Sequence, residues 1–321
     1  MNTRKAARSD GGFFPRGRGP GAPGWLLKLA RVALFSAAVL GGLAGVGVLW
    51  LHLVGDPLAD VRAYYDAARR LNEGAPLYPP GADTNAAEFY RYPPLLAIVL
   101  RPFALLPYPT FALLWEIGIV AALVATLRRV GLGSRTWLAL GLLGIPLGWA
   151  VAVGQAHVLV MFLLAVGTPF SIAVAAHLKV FPLLAALYWV GRGEAAHVAV
   201  FLAWLVGLSV GQAFLEPAGW DAFWRVASLE QVGAVRNLSP YAASPSLWLG
   251  LLALGVVAAL VLARTRFGWP AAVALATLAP PRLLLYMLSS LLAALRPPRP
   301  DVPELADAVP DAAEAYVSSA R

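Results

Sequence analysis

Long apolar stretches separated by short polar segments make up most of the chain. The first of them, residues 32–54, contains no Asp, Glu, Lys or Arg. Because about 20 apolar residues suffice to cross a bilayer, we interpret it as an uncleaved membrane anchor and not as a signal peptide. Similar stretches predict further spans at 109–127, 136–153, 155–168, 197–215, 246–263, 268–281 and 283–295. The pattern predicts an all-α integral membrane protein, a multi-span helical bundle with roughly nine spans.

A different pattern follows the first span, in the polar segment 55–108. The apolar residues Val61, Tyr64, Tyr65, Ala68 and Leu71 recur there at helical spacing, and charged residues lie on the opposite face. This spacing predicts a short amphipathic, interfacial helix that lies on the bilayer in the first outer loop. Asp56, followed by Pro57, is expected to cap its start. Gly74 is expected to end it.

Two apolar stretches are too irregular for simple spans. Residues 92–106 are interrupted by a charge and a proline, which favours an interfacial or re-entrant piece. Residues 169–190 contain Lys179 and Pro182. They predict either a hairpin of two half-helices with Lys179 near its tip, or one span with Lys179 at its middle. The second arrangement costs roughly 3 kcal/mol unless the lysine faces a polar cavity.

Composition excludes several classes of protein. Hydrophobic residues make up 60% of the chain and charged residues 13%, too apolar for a soluble domain. No cysteine is present, which excludes disulfides and a thiolate nucleophile. The net charge of +8 is spread over short clusters beside apolar runs, so it predicts membrane topology and no nucleic-acid partner. The four histidines are far apart and no Asp-x-Asp pair occurs, so no metal cofactor is predicted.

The positions of the charges predict the orientation of the chain. Residues 1–24 are basic and rich in Gly and Pro, which predicts a disordered cytoplasmic tail. Residues 25–296 are expected to form one membrane domain, and 297–321 a flexible cytoplasmic tail. Arginines beside the apolar stretches are expected in the cytoplasm, at Arg128, Arg129, Arg192 and Arg264. We expect a multi-pass protein of the plasma membrane with a cytoplasmic N-terminus and residues 55–108 outside.

Six short motifs follow one another along the chain. They are Asp60-Val61-Arg62-Ala63-Tyr64-Tyr65-Asp66-Ala67-Ala68, Gly74-Ala75-Pro76-Leu77-Tyr78, Tyr90-Arg91-Tyr92-Pro93-Pro94-Leu95, Gly154-Gln155-Ala156-His157, His177-Leu178-Lys179-Val180-Phe181-Pro182 and Asn237-Leu238-Ser239-Pro240. Together they resemble glycosyltransferase family 87. The resemblance implies a GT-C fold and an inverting transfer of a hexose, mannose in this family. The donor would be a polyprenyl phosphate sugar, and the acceptor a glycolipid or cell-envelope glycan outside the cytoplasm.

Such a transfer needs a carboxylate to take the proton of the acceptor hydroxyl, and cations or amide donors to stabilise the departing phosphate. Asp60 is the predicted base. It lies just beyond the first span, where a donor phosphate in the membrane meets a lipid-borne acceptor, and the resemblance places the essential acidic residue there. The alternative is that Asp60 only caps the surface helix, a role that Asp56 suits better.

Two cations are predicted to bind the donor phosphate. Lys179 is an ammonium within an apolar stretch, where a charge needs a reason to persist; the alternative is a lysine that snorkels from a helix end. Arg91, beside the Tyr-Pro-Pro turn, is a second phosphate clamp or an anchor of its loop at lipid headgroups.

Five further residues are candidates for substrate binding. Gln155 and His157 stand between two predicted spans and either bond the sugar or phosphate, or bond a neighbouring helix. Arg282 falls at an outer span end, against the positive-inside trend, so it is functional or the last spans are miscounted. The resemblance adds Tyr64 and Asn237.

Two other functions stay open at this point. A transporter or flippase for a lipid or small solute would show paired broken helices in two related halves, whereas polar residues here concentrate in one early loop. The chain also departs from the family pattern. His157 stands where Asn is usual, Met287 where an acidic residue is expected, and the region from Gln155 to Lys179 is short. A non-catalytic relative is therefore the third interpretation.

Overall fold

The structure is a computed structural model that describes residues 24–298 except 85, 87 and 228–236. The described part contains helices and no strands. Nearly all of the two predicted tails, 1–24 and 297–321, lies outside the described residues.

Thirteen α-helices are present in the described part of the chain. They are α1 Gly24–Gly55, α2 Ala59–Asn72, α3 Pro94–Leu100, α4 Tyr108–Val130, α5 Ser134–Leu142, α6 Gly144–Ala152, α7 His157–Val166, α8 Pro169–Leu178, α9 Leu187–Arg192, α10 Ala195–Leu215, α11 Pro217–Val226, α12 Pro245–Leu262 and α13 Gly268–Leu278. Four 3₁₀ segments accompany them: Phe103–Leu105, Phe181–Ala186, Pro240–Ala242 and Leu285–Leu295.

Four of these helices are long and apolar enough to cross a membrane: α1, α4, α10 and α12. The pair α5 and α6, bent by 69°, makes a fifth if it is one broken span. The all-α, multi-span fold is thus confirmed, and the described part of the chain has four or five helices of this length where about nine spans were predicted. Helices α7 and α13 have 10 and 11 residues, so each rises about 15 Å, half of a hydrocarbon core of about 30 Å.

The predicted amphipathic helix exists as α2, but its apolar face packs on protein. Val61 and Tyr64 are fully buried in the main hydrophobic core, so this face meets protein where contact with the bilayer was predicted. Its other face carries ion pairs such as Arg62 with Asp66, whose Nε and Oδ2 atoms are 2.9 Å apart. The burial of one face and the charge of the other fix its rotation about its own axis.

The start of α2 differs from the prediction. Asp56 does not cap it; its Oδ1 atom lies 2.6 Å from His52 Nδ1, one turn back in α1. The residue before the helix is Leu58, in a left-handed backbone conformation with φ of 56°. This conformation is uncommon for a residue with a Cβ atom. The other end agrees with the prediction, because Gly74 follows the helix with φ of 68°.

Helix α1 lies at the edge of the molecule and packs on α5 and α6. The contact is made by glycines, since a Cβ atom on Gly41 would overlap the backbone of Gly141, and one on Gly45 that of Gly144. Small residues let two membrane helices approach at backbone distance. The rest of the α1 surface, including Leu40 and Trp50, is exposed and apolar enough to face lipid.

The stretch 169–190 forms a hairpin of helical segments. Along α10, the helix α8 advances from the ring contact of Phe170 with Trp204 to the bond between His177 and Ser209. In α9, Trp189 stacks on His197, near the start of α10. The chain has therefore turned back, which fits the predicted hairpin and not the single span. The break is at Lys179, and Pro182 is the second residue of the returning 3₁₀ segment.

Candidate active site

A cleft of about 230 Å³, lined by charged, aromatic and apolar side chains, lies where α2, the loop before α3, the corner between α6 and α7, the break after α8 and the segment 280–287 meet. Six of the eight residues predicted to form the site line it: Asp60, Tyr64, Arg91, Gln155, Lys179 and Arg282. Residues from distant parts of the sequence are thus brought to one cavity. The cleft has both signs of charge on its walls.

Backbone contacts with the end of α6 place Asp60. The N–H groups of Leu58 and Asp60 donate to the carbonyls of Ala152 and Val153 over 3.1 and 3.2 Å. These bonds join the first turn of α2 to the α6–α7 corner, where Gly154 turns the chain with φ of 65°. A Cβ atom on Gly154 would overlap the side chain of Val61, so this corner needs glycine.

The carboxylate belongs to a buried hydrogen-bond network. Gln155 Nε2 donates to Asp60 Oδ2 over 2.7 Å. At the other end of the amide, Gln155 Oε1 accepts from the hydroxyl of Tyr64 over 2.9 Å, and also from that of Tyr92. The hydroxyl of Tyr64 in turn accepts from the N–H of Ala156 over 3.1 Å. The network ties α2, the Tyr-Pro-Pro turn and the start of α7 together.

The cations of the cleft are held by different contacts. Lys179 Nζ lies 4.8 and 5.3 Å from the ring centroids of Tyr92 and Tyr286, within reach of cation–π attraction. Its hydrogen bond to the Tyr286 hydroxyl is long, at 3.4 Å. Arg91 instead donates to three carbonyls of its own loop, those of Thr84, Ala86 and Phe89. It therefore anchors the loop that forms one wall of the cleft.

Burial shifts the pKa values of Asp60 and Lys179, and the neighbouring charges act on both. Burial raises the pKa of the Asp60 carboxyl to about 6, although the positive charges of Lys179 and Arg91 act to lower it. Burial lowers the pKa of the Lys179 ammonium to about 7, against the raising effect of Asp60. A carboxylate with a pKa near 6 is ionised at neutral pH and is a better proton acceptor than one with the usual pKa.

His157 and Asn237 do not line the cleft. The imidazole of His157 is buried behind it, where Nε2 lies 2.7 Å from Ser290 Oγ and 2.9 Å from the carbonyl of Met287. Asn237 bonds the carbonyl of Pro281 and the N–H of Leu283, on either side of Arg282. Both side chains thus hold the segment 281–290, and their direct contact with substrate stays a prediction.

Two residues of the site were not predicted from the sequence. Tyr92 and Tyr286 line the cleft and contact Lys179, and Tyr92 also bonds Gln155. Tyr92 stands inside one of the six motifs, which was the available signal. Tyr286 stands next to Met287, the position where the family pattern has an acidic residue, and both line the cleft.

Among the described residues, Asp60 is the one carboxylate that lines this cleft. Within the same ranges, no three His, Asp or Glu side chains lie close enough to hold a metal ion. The arrangement offers a proton acceptor, facing cations and aromatic walls.

The chain is similar to known proteins. Two relatives are named polyprenol-phosphate-mannose-dependent alpha-(1-2)-phosphatidylinositol pentamannoside mannosyltransferase. The one from Mycolicibacterium smegmatis is 33% identical over 226 residues, 60% of this chain and 54% of the relative. The one from Mycobacterium tuberculosis is 32% identical over 194 residues, 52% of this chain and 45% of the relative. The chain thus spans about half the length of these curated relatives. No solved structure matches. Residues 89–295 match glycosyltransferase family 87, and the chain belongs to that family.

Proposed function

We propose that this protein is a membrane glycosyltransferase that moves a hexose from a polyprenyl phosphate to a lipid-borne glycan. The observation that carries the proposal is the cleft itself, in which Asp60 faces Lys179 with Arg91 and Arg282 on the same lining. A base for a hydroxyl group and cations for a departing phosphate are the two requirements of the reaction. Their presence argues against a non-catalytic relative.

The names of the relatives suggest which sugar and which acceptor the protein uses. They indicate mannose as the sugar and a phosphatidylinositol mannoside as the acceptor. The protein would then bind two lipids at once, a polyprenyl phosphate mannose and a mannosylated phosphatidylinositol. Each of these lipids has a polar head and an apolar tail, which fits a cleft with charged and apolar walls in a membrane protein.

The reaction follows from the positions of the charges. Asp60 removes the proton from the acceptor hydroxyl while that oxygen bonds to the anomeric carbon. The bond from this carbon to the phosphate oxygen breaks, and its electron pair stays on the phosphate. Lys179 and Arg282 offset the added negative charge of the polyprenyl phosphate. Displacement from the face opposite the phosphate makes the transfer inverting, as in GT-C enzymes.

The proposal includes an orientation. The cleft opens to the outer face of the plasma membrane, and the N-terminus is cytoplasmic. Arg264 Nε donates to the carbonyl of Gly191, so the arginine clusters at Arg192 and Arg264 share one end of the molecule. Both lie beside apolar helices, where positive charge favours the cytoplasmic side.

Cysteine labelling in intact cells tests this orientation, because the chain has no native cysteine. An impermeant thiol reagent should label Glu73→Cys on the outer end of α2, and should label Arg192→Cys and Arg264→Cys only after the cells are opened. Labelling of Arg192→Cys from outside would reverse the orientation.

The activity is tested with purified full-length protein in detergent, supplied with labelled polyprenyl phosphate mannose and a phosphatidylinositol mannoside. The wild type should release polyprenyl phosphate, and Asp60→Asn should release it about 10²–10⁴ times more slowly, as expected when a general base is lost. Asp56→Asn is the matched control, because Asp56 bonds His52 outside the cleft, and its rate should stay near that of wild type. A wild type without acceptor-dependent release would refute the proposed activity, and an active Asp60→Asn would refute the base.

A further inference from the structure

Gln155 lies between the carboxylate and two tyrosines and has both ends of its amide bonded. Its side chain is 2% exposed. The Nε2 end donates to Asp60 Oδ2, and the Oε1 end accepts from the hydroxyls of Tyr64 and Tyr92. A buried amide with these partners has little freedom to exchange them, because an unpaired polar atom in the interior is costly.

The chemistry of the partners allows one orientation of this amide. An ionised carboxylate only accepts hydrogen bonds, so the amide end that faces Asp60 must be the NH₂ group. The N–H of Ala156 donates to the Tyr64 hydroxyl, which directs the Tyr64 proton either to Oε1 or to the Tyr92 hydroxyl. In the second case the Tyr92 proton goes to Oε1. Oε1 therefore receives a proton from a tyrosine in both arrangements.

We propose that Gln155 is a positioning residue that fixes the Asp60 carboxylate for proton transfer, with its own amide held in orientation by Tyr64 and Tyr92. The bond from Gln155 occupies Oδ2, and the described part of the chain donates no hydrogen bond to Oδ1. Since Asp60 lines the cleft, Oδ1 is the atom that takes the proton of the acceptor hydroxyl. The inference rests on the proposed role of Asp60 as base.

Tyr92 contributes to both charged walls through different atoms. Its hydroxyl bonds Gln155, whereas its ring faces the ammonium of Lys179 at 4.8 Å. Tyr92→Phe therefore removes the contact with the amide and keeps the ring under the cation. The share of Tyr92 in positioning the carboxylate can thus be measured without removing the cation–π contact.

The pH dependence of kcat/KM separates a positioning residue from one that binds substrate. Gln155→Met keeps the length of the side chain and removes the donor to the ionised carboxylate, so the pKa of the base rises. The acidic limb of the profile should move up by about one pH unit, with kcat lower by roughly 10–100-fold and KM for the donor nearly unchanged. Gln155→Glu places a second carboxylate beside Asp60, and the limb should move further in the same direction.

Two tyrosine variants complete the experiment. Tyr92→Phe should move the limb in the same direction as Gln155→Met but by less, because Tyr64 still bonds Oε1. Tyr65→Phe is the matched control. Tyr65 lies on the same helix as Asp60, and its hydroxyl donates to the carbonyl of Leu106, so this variant also loses one hydroxyl. The acidic limb of its pH profile should stay in place. An unmoved limb in Tyr92→Phe would remove Tyr92 from the positioning network.

The outcomes separate this inference from the proposed function. If Asp60→Asn abolishes activity but Gln155→Met and Gln155→Glu leave the acidic limb in place and raise KM for the donor, Gln155 binds substrate and the positioning role is wrong. If Asp60→Asn keeps its activity, the assignment of the base is wrong and the role of Gln155 is refuted with it. Melting curves of each purified variant exclude unfolding as the cause of a lost rate.

Discussion

The two charged walls of the cleft are held by contacts of different kinds. Asp60 is held on one side by a 2.7 Å bond from a buried amide, and its backbone is tied to the end of α6. Lys179 has a long bond of 3.4 Å and two aromatic rings. A carboxylate that must meet one proton gains from a fixed position. An ammonium with few hydrogen bonds keeps its donors for an anionic ligand.

The largest effect that this comparison predicts is on donor binding. Lys179→Met keeps the apolar stem but removes the charge, so a phosphate in the cleft loses its partner, and donor affinity should fall by about 10–100-fold. Lys179→Arg should keep part of the affinity, because the charge survives while the geometry changes. Both are measured by binding of labelled donor in one detergent. An unchanged affinity in Lys179→Met would reduce the lysine to a snorkelling side chain.

The next effect concerns the stability of the carboxylate wall. Because its folded-state pKa is raised from 3.8 to about 6, Asp60 favours folding below pH 4 and loses this contribution as the pH rises through 6. Asp60→Asn should therefore be more stable than wild type by about 1–2 kcal/mol at pH 7.5, and the difference should shrink toward pH 4.5. Thermal unfolding at several pH values measures it. A gain that does not depend on pH would show that the buried charge of Asp60 is not its cause.

Arg91 lies on the same wall of the cleft as Lys179, but like Asp60 it is held by hydrogen bonds. Arg91→Lys keeps the positive charge and loses the fork that bonds three carbonyls, so we expect a loss of stability of about 1 kcal/mol. Donor affinity should change by less than about threefold. Unfolding and binding measured on the same preparation test this. A large loss of affinity with unchanged stability would instead make Arg91 a phosphate clamp.

The smallest effect is expected at Tyr286. Its bond with Lys179 is 3.4 Å long, and Tyr286→Phe keeps the ring that faces the ammonium. Donor affinity should stay within about twofold of wild type, since a long hydrogen bond contributes little. A tenfold loss would show that the hydroxyl itself contacts the donor.

The charged residues that line the cleft were readable from the sequence, whereas the contacts around them were not. Lys179 was recognisable because a charge within an apolar stretch is costly and needs a reason. Asp60 was predicted from its place just beyond the first span and from the family resemblance. Tyr92 and Tyr286 were not, because buried tyrosines are common and their partners here lie up to 107 positions away along the chain. Gln155 was predicted as a candidate, but its bond to Asp60, across 95 positions, was not readable.

The errors in the fold have one physical cause. An apolar surface is buried equally well by lipid and by protein, so composition alone does not distinguish the two. The apolar face of α2 was predicted to meet lipid and meets the protein core. The stretches that form α7 and α13 were predicted as spans and are short helices with most residues inside the molecule. The length of the helix in the folded protein decides whether it can cross the bilayer. The sequence predicts the ends of a helix only to within a few residues.

The glycine contacts of α1 imply an order of events during synthesis of the protein. Helix α1 is made before its packing partners Gly141 and Gly144, which follow its own glycines by about a hundred residues. The carbonyls of Ala152 and Val153, which hold the start of α2, come later still. Until then α1 is a helix alone in the bilayer, and Asp60 has no fixed place. Asp60, the proposed base, is therefore translated before the residues that hold its backbone, and it can be positioned only once the chain has grown past α6.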